Sequence, residues 1–276
     1  RKEATVDSGL DSYRPAVMGT THMVSSGHYL AAAAGYRILE QGGNATDAGV
    51  ASGIAINVTL PNSTNFGGVA PIIIYDAASD SVVTISGLGR WPRAASIDYF
   101  MKNTDGEIPV GILRCVVPSA ADAWLTALEK YGTMTFEQVV TPALELAELG
   151  FPLSKITRQF LGGADQTMGG DMSMWPSTAE IFMPNGRMPV AGEPLVQKDL
   201  ARTFRRLIEV ERSNSSKGRE TALRAARDFF YKGEIAEEMA RFSEEQGGLL
   251  TLQDLKDFSV AIEKPEVGQF DDYSIY

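Results

Sequence analysis

Apolar positions recur at helical spacing between residues 28 and 41. Leu30, a run of alanines, Ile38 and Leu39 supply one face, Ser25 or Ser26 offers the cap, and Gly42-Gly43 the stop. The pattern restarts at Asn44–Asp47 and continues through Ala48-Gly49-Val50-Ala51-Ser52-Gly53-Ile54-Ala55. So many small residues cost helix propensity but let another backbone come close, which predicts a buried helix. The period then changes. Ile72-Ile73-Ile74-Tyr75 and Ser81-Val82-Val83-Thr84-Ile85 flank the polar turn from Asp76 to Asp80, which predicts a β-hairpin. The unbroken apolar run of its first strand predicts burial on both faces, as in a sheet between layers.

From Pro118 to about residue 258 the pattern is mainly helical. Trp124 and Leu128 lie four apart, and Thr135-Phe136-Glu137-Gln138 forms a capping box ahead of Val139, Ala143 and Leu146, with Gly150 closing the segment. Pro142 falls inside it and predicts a kink or a split. Residues 164–193 lack periodicity and read as an ordered loop excursion ending in the Pro184-Asn185-Gly186-Arg187 turn. Ile235, Met239 and Phe242 then return to helical spacing, Gly247-Gly248 terminates, and Thr251 to Asp254 starts a further helix.

Composition narrows the classes. With 276 residues, 44% hydrophobic, 22% charged and 27 glycines, the chain has the make-up of a globular protein with many tight turns. A formal charge of −10 argues against nucleic acid as a partner, because that affinity rests on Lys and Arg neutralising phosphates. No run nears the ~18 apolar residues that span a bilayer, so no membrane partner is expected and the chain reads as soluble. The polar start, Arg1-Lys2-Glu3-Ala4-Thr5, has no apolar signal core, but a leader removed earlier would leave the same start, so the compartment stays open. One cysteine, Cys115, excludes an internal disulfide. With only His22 and His28 beside it, neither metal chemistry nor a cofactor is expected.

Self-contained catalytic signatures are missing: no Gly-x-Ser-x-Gly elbow, no His-Glu-x-x-His, no phosphate loop. Gly87-Leu88-Gly89 is a fragment of a dinucleotide fingerprint whose third glycine position is Pro92. His28 could act as a base beside Ser25 or Ser26, but a histidine opening an alanine-rich helix reads first as structural. Arg114 could lower the Cys115 thiol pKa, while the apolar flank Val116-Val117 favours a small buried residue.

The long-range pattern is more specific. Met23 to Ala31, then Ile38-Leu39-Glu40-Gln41-Gly42-Gly43-Asn44-Ala45-Thr46-Asp47-Ala48, closely resembles the opening of the γ-glutamyltranspeptidase large subunit. Further matches follow in order: Pro61 through Gly67-Gly68, Tyr75-Asp76, Val117-Pro118-Ser119, Leu128 to Gly132, Pro142 to Ala147, Ala191-Gly192-Glu193, Phe230 to Ala236 and Gly247 to Leu255. The resemblance runs from about residue 17 to 276.

That resemblance implies an α+β fold, an αββα four-layer sandwich of the N-terminal-nucleophile hydrolase type. This chain would be a single domain over 1–276, an incomplete large-subunit portion completed by a small subunit from the same precursor, with a dimer of heterodimers as an open alternative for the final assembly. It implies an amide-bond hydrolase or acyltransferase acting on a small-molecule amide, with the small subunit's N-terminal threonine as nucleophile and that residue's amine as base. No catalytic residue is therefore expected here, and the final Asp272-Tyr273-Ser274-Ile275-Tyr276 resembles the strand before the remainder of the large subunit. A non-catalytic binding or scaffold relative that has lost self-processing is the alternative.

The clearest departure concerns substrate recognition. The resemblance implies an arginine after Asp-Gly that grips a glutamyl α-carboxylate. Here the stretch is Ser86-Gly87-Leu88-Gly89-Arg90, with Leu88 at the arginine position. Arg90, two residues on, returns to the same face at ~6.6 Å along an extended chain. It is either a replacement anchor or a surface charge. An acyl group other than a standard γ-glutamyl follows as the expectation. Asn65, Phe66 and Gly67 lie in the loop expected to approach the substrate, with a tight turn feeding the Ile72 strand as the plainer reading.

Overall fold

The computed structural model describes residues 17–161 and 175–276. The first two helices, α1 (Tyr29–Glu40) and α2 (Ala45–Thr59), pack along each other more extensively than any other pair. The small residues make this possible. A Cβ on Gly35 would lie 2.8 Å from the Ala48 carbonyl oxygen, and most of α2 is buried. The cap of α1 differs from expectation. His28 rather than Ser25 or Ser26 holds it, its Nδ1 accepting the Leu30 amide at 3.3 Å, so the imidazole satisfies one of the free donors of the first turn. At α2, Asn44 and Asp47 form a reciprocal capping box.

The hairpin of β1 (Ile72–Asp76) and β2 (Ser81–Ile85) pairs Ile72 with Ile85 and Asp76 with Ser81. Asp76 stabilises its turn by accepting from the Ala78 amide and the Ser79 hydroxyl, and Asp80 takes a φ of 47°. Within the described residues β1 is covered on one face only, where burial on both was expected. Ile72 and Ile74 pack on the core, whereas Ile73 and Tyr75 are 55% and 62% exposed, because the described chain lays helices against one face only.

Next come α3 (Ile97–Thr104), α4 (Ala120–Tyr131) and α5 (Phe136–Leu149). Ser96 caps α3, and the capping box Thr135/Gln138 starts α5 as its sequence requires. Pro142 does not split α5, which continues unbroken from Phe136 to Leu149. The short β3 (Phe151–Pro152) follows, then α6 (Lys155–Leu161), α7 (Pro176–Phe182) and β4 (Pro194–Leu195), which pairs with β3. Residues 164–174 of the expected loop excursion lie outside the described residues; its remainder carries α7 and the turn at Asn185 and Gly186, where φ is 93° and 68°. Three further helices complete the helical region: α8 (Lys198–Asn214), α9 (Arg219–Lys232) and α10 (Glu234–Glu245). α11 (Leu252–Lys256) leads to β5 (Ile262–Glu263), which joins β2 in a sheet of order β1-β2-β5, and β6 (Gly268–Phe270) pairs with β7 (Tyr273–Ile275).

The chain is thus α+β. One continuous apolar core runs from Ala31 and Ile38 through α2, α4 and α5 to Phe204, Leu223 and Phe258, so the hairpin and the helical region share their buried surface. Among the described residues no helix is long and apolar enough to cross a membrane.

Candidate functional site

Three segments meet at the start of α4. The Gly68 carbonyl accepts the amides of Ser119 (2.8 Å) and Ala120 (2.9 Å), and the Gly87 carbonyl accepts the Ala70 amide (2.8 Å) and the Ser119 hydroxyl (2.6 Å). Ser119 is fully buried, so this hydroxyl ties the loop before β1 to the segment after β2. Two glycines permit the approach. A Cβ on Gly87 would sit 1.8 Å from the Ala70 oxygen, and one on Gly89 2.2 Å from the Val117 oxygen. Close packing, not nucleotide binding, accounts for the Gly87-Leu88-Gly89 pattern. The Arg90 carbonyl accepts the Val117 amide at 2.8 Å and completes the clasp.

The structure therefore brings the two groups of expected site residues, Asn65–Gly67 and Leu88/Arg90, to one junction, but not with equal access. Phe66 is buried, its ring edge-on to Phe204 (5.1 Å) and Phe230 (5.7 Å), so it anchors the loop in the core and does not present its ring to a ligand. Asn65 and Gly67 on either side are exposed. Leu88 is 58% exposed and Arg90 is exposed beside it.

Arg90 extends toward the segment after α11. Its guanidinium carbon lies 5.8 Å from the Phe258 ring centroid, and Nη2 approaches the Ser259 carbonyl at 3.5 Å. Among the described residues no carboxylate pairs with it, whereas neighbouring Arg93 binds Asp257 at 2.6 Å. Both acids of this crevice are held as anions. Hydrogen bonds from Gln253 and Arg93 lower the Asp257 pKa, and at Asp254 burial works against ionisation but the Thr251 hydroxyl and the Arg93 amide outweigh it. Among the described residues, the crevice lined by Arg90, Trp91, Arg93, Asp254, Asp257 and Phe258 thus holds the Arg90 guanidinium without an acid partner.

Of the two other candidates, one is structural. His28 is occupied as the α1 cap, and burial lowers its pKa, which suits a neutral acceptor. Cys115 is exposed, against the expectation of a small buried residue, yet its partly desolvated surroundings raise the thiol pKa, so it carries less thiolate than a free cysteine.

One constellation was not anticipated. Asp122, buried in the first turn of α4, accepts from Arg227 Nε (2.5 Å) and Nη2 (3.0 Å), the Thr126 hydroxyl and the Val260 amide (2.8 Å). Arg227 also donates to the Phe258 carbonyl at 2.7 Å. Burial opposes the Arg227 charge, but the bond to Asp122 prevails and raises its pKa. The signal in the sequence is a single acid within Ala120-Ala121-Asp122-Ala123-Trp124-Leu125, since a carboxylate in so apolar a run must find a partner. Spacing cannot say that the partner lies 105 residues away.

A family model described as gamma-glutamyltranspeptidase matches residues 31–276. The chain is 31% identical over 270 residues to the glutathione hydrolase proenzyme of Bacillus subtilis (strain 168), covering 96% of this chain and 43% of that protein. It is 30% identical over 269 residues to the acylase ACY 1 proenzyme of Pseudomonas sp. (strain SE83), covering 93% and 44%. The crystal structure of Helicobacter pylori gamma-glutamyltranspeptidase superposes with a TM-score of 0.82 at 28% identity, over 95% of this chain and 70% of that one. The chain spans less than half the length of these curated relatives.

Proposed function

The chain belongs to the γ-glutamyltranspeptidase family, and from that premise we propose that it is the large-subunit portion of an amide-bond hydrolase or acyltransferase, completed by a small subunit from the same precursor. The observation that carries this reading is that both a glutathione hydrolase proenzyme and an acylase proenzyme align with more than nine-tenths of the chain at 30% identity or more. Both are named as proenzymes, which supports processing into parts, and this chain corresponds to under half of each. The shared core of hairpin and helices supports reading 1–276 as one domain.

In this mechanism the small subunit's N-terminal threonine supplies the hydroxyl that attacks the amide carbonyl carbon, and its own α-amine takes the hydroxyl proton. Collapse of the tetrahedral adduct breaks the C–N bond, the amine leaves with that proton, and the acyl group stays as an ester. Water completes hydrolysis; a second amine completes transfer. This chain contributes substrate recognition. Arg90 offers a guanidinium that no acid among the described residues pairs with, and Leu88 takes the place of the arginine that would read a glutamyl α-carboxylate. The acyl group accordingly carries an anion placed for Arg90 and lacks the standard γ-glutamyl pattern, and exposed Asn65 and Gly67 are offered as further substrate contacts.

The test is expression of the full precursor, followed by gel analysis for two fragments and an amide-hydrolysis assay. γ-Glutamyl anilide is compared with short acyl anilides on wild type and on Arg90→Ala. A precursor that stays uncut and inactive overturns the enzyme reading. Strong preference for the glutamyl compound, unchanged by Arg90→Ala, overturns the substrate reading alone.

A further inference from the structure

Arg90 is fixed at both ends by one cluster. Its carbonyl is bonded to Val117, and the adjoining Pro118 carbonyl accepts the Tyr231 hydroxyl at 2.8 Å. The Tyr231 ring stacks on Phe258 at 5.8 Å with an interplanar angle of 26°, and Phe258 is the platform under the Arg90 guanidinium. The 258–260 segment cannot drift, because Arg227 holds the Phe258 carbonyl while Asp122 holds the Val260 amide, and these two side chains are bonded to each other in a buried pair.

An exposed arginine without an acid partner would ordinarily spread over many rotamers, and a ligand would have to halt them at the cost of affinity. Here the ring and the Ser259 carbonyl restrict the guanidinium before any ligand arrives. We infer that Phe258, locked by the Asp122–Arg227 pair, is a positioning residue that sets where Arg90 meets a carboxylate on the acyl part of the substrate. This rests on the proposed role of Arg90 as the anion anchor. Phe258 is 3% exposed, so its effect reaches the substrate through Arg90 and falls on discrimination between charged and neutral acyl groups and not on bond cleavage.

The experiment uses the processed product of the full precursor with two probes, glutaryl-4-nitroanilide and its terminal carboxamide. Arg90→Ala is expected to raise KM for the carboxylate probe about tenfold, a loss near the lower end of what a charged hydrogen bond contributes. Phe258→Leu is expected to raise it at least threefold, with kcat within twofold and the carboxamide KM unchanged; Phe258→Tyr, which keeps a ring, stays near wild type. If Phe258→Leu raises both KM values alike, or neither while Arg90→Ala acts on the carboxylate, the positioning role is wrong. If Arg90→Ala fails to separate the two probes, the anchor reading itself fails. Arg90→Lys, at an exposed site that tolerates change, covers the case in which Phe258→Leu does not fold. It keeps the charge but loses the flat face that rests on the ring, so a raised carboxylate KM is expected and a wild-type value overturns the inference.

Discussion

The Trp124 indole occupies the space that a side chain on Gly53 would need: a Cβ there would lie 2.4 Å from the ring, while Trp124 Nε1 donates to Asn57 Oδ1 at 3.2 Å, one turn further along α2. Gly49, one turn earlier on the same helix, is exposed and faces open space. The two glycines should therefore respond oppositely to alanine. Gly53→Ala forces the indole to move and should cost about 1–2 kcal/mol even after the gain in helix propensity. Gly49→Ala should stabilise by up to about 1 kcal/mol. Thermal melts of the two variants of the assembled protein should shift in opposite directions.

Asp47 is fully buried and accepts from the Thr133 amide (3.0 Å), the Thr133 hydroxyl (2.7 Å), the Met134 amide (3.2 Å) and the Asn44 amide (2.9 Å). Removing the carboxylate strands several donors together. Asp47→Ala should cost about 2–4 kcal/mol, read as a fall in the denaturation midpoint. Asp47→Asn should recover only part, since its amide nitrogen cannot accept.

Phe66 and Asn65 are neighbours with opposite fates. Phe66→Ala removes a ring packed edge-on against Phe204 and Phe230 and should destabilise by about 3–5 kcal/mol. Asn65→Ala, at an exposed position, should leave the melt within about 0.5 kcal/mol. In the processed enzyme its effect should be confined to KM. A large loss of stability from Asn65→Ala would contradict this division.

Glu211 of α8 is buried against the start of α5, where the Phe136 and Glu137 amides donate to it at 2.6 and 2.8 Å. Burial raises its pKa, more than those amides lower it. The folded state therefore keeps the proton to higher pH than the unfolded chain. Its contribution is fully present below the ordinary glutamate value and is lost as pH rises through the folded pKa. The stability difference between wild type and Glu211→Gln, measured by denaturant titration, should turn against wild type as pH climbs from about 4. A difference that is flat with pH would show that Glu211 ionises as readily folded as unfolded, and one of opposite slope that it ionises more readily folded; either contradicts the raised pKa.

Much of the architecture was legible because its determinants are local. The Asn44/Asp47 and Thr135/Gln138 boxes, the Asp76–Asp80 turn and the small-residue face of α2 each state their geometry within a few residues. Cap identity was less so: Ser25, Ser26 and His28 are all able acceptors, and the backbone path decides among them. The two faces of β1 could not be separated, since a four-residue apolar run reads alike whether one side or both are covered. At the site, the sequence pointed to Leu88 and Arg90 but not to Phe258, Asp122 or Arg227, because no periodicity links α4, α9 and the stretch before β5. The inward turn of Phe66 was equally hidden, being set by partners from α8 and α9.

The half-covered hairpin has a colloidal consequence. Among the described strands β1 pairs only with β2, so its outer backbone edge has no strand partner there, and Ile73 and Tyr75 are exposed beside it. Such an edge is a template for a second copy of itself. Against this stands the net charge of −10, which holds like molecules apart over about 10 Å at moderate salt and only about 3 Å at 1 M. This polypeptide on its own should stay dispersed in dilute buffer and cluster as salt is added, behaving as a particle whose repulsion, not its shape, keeps it single.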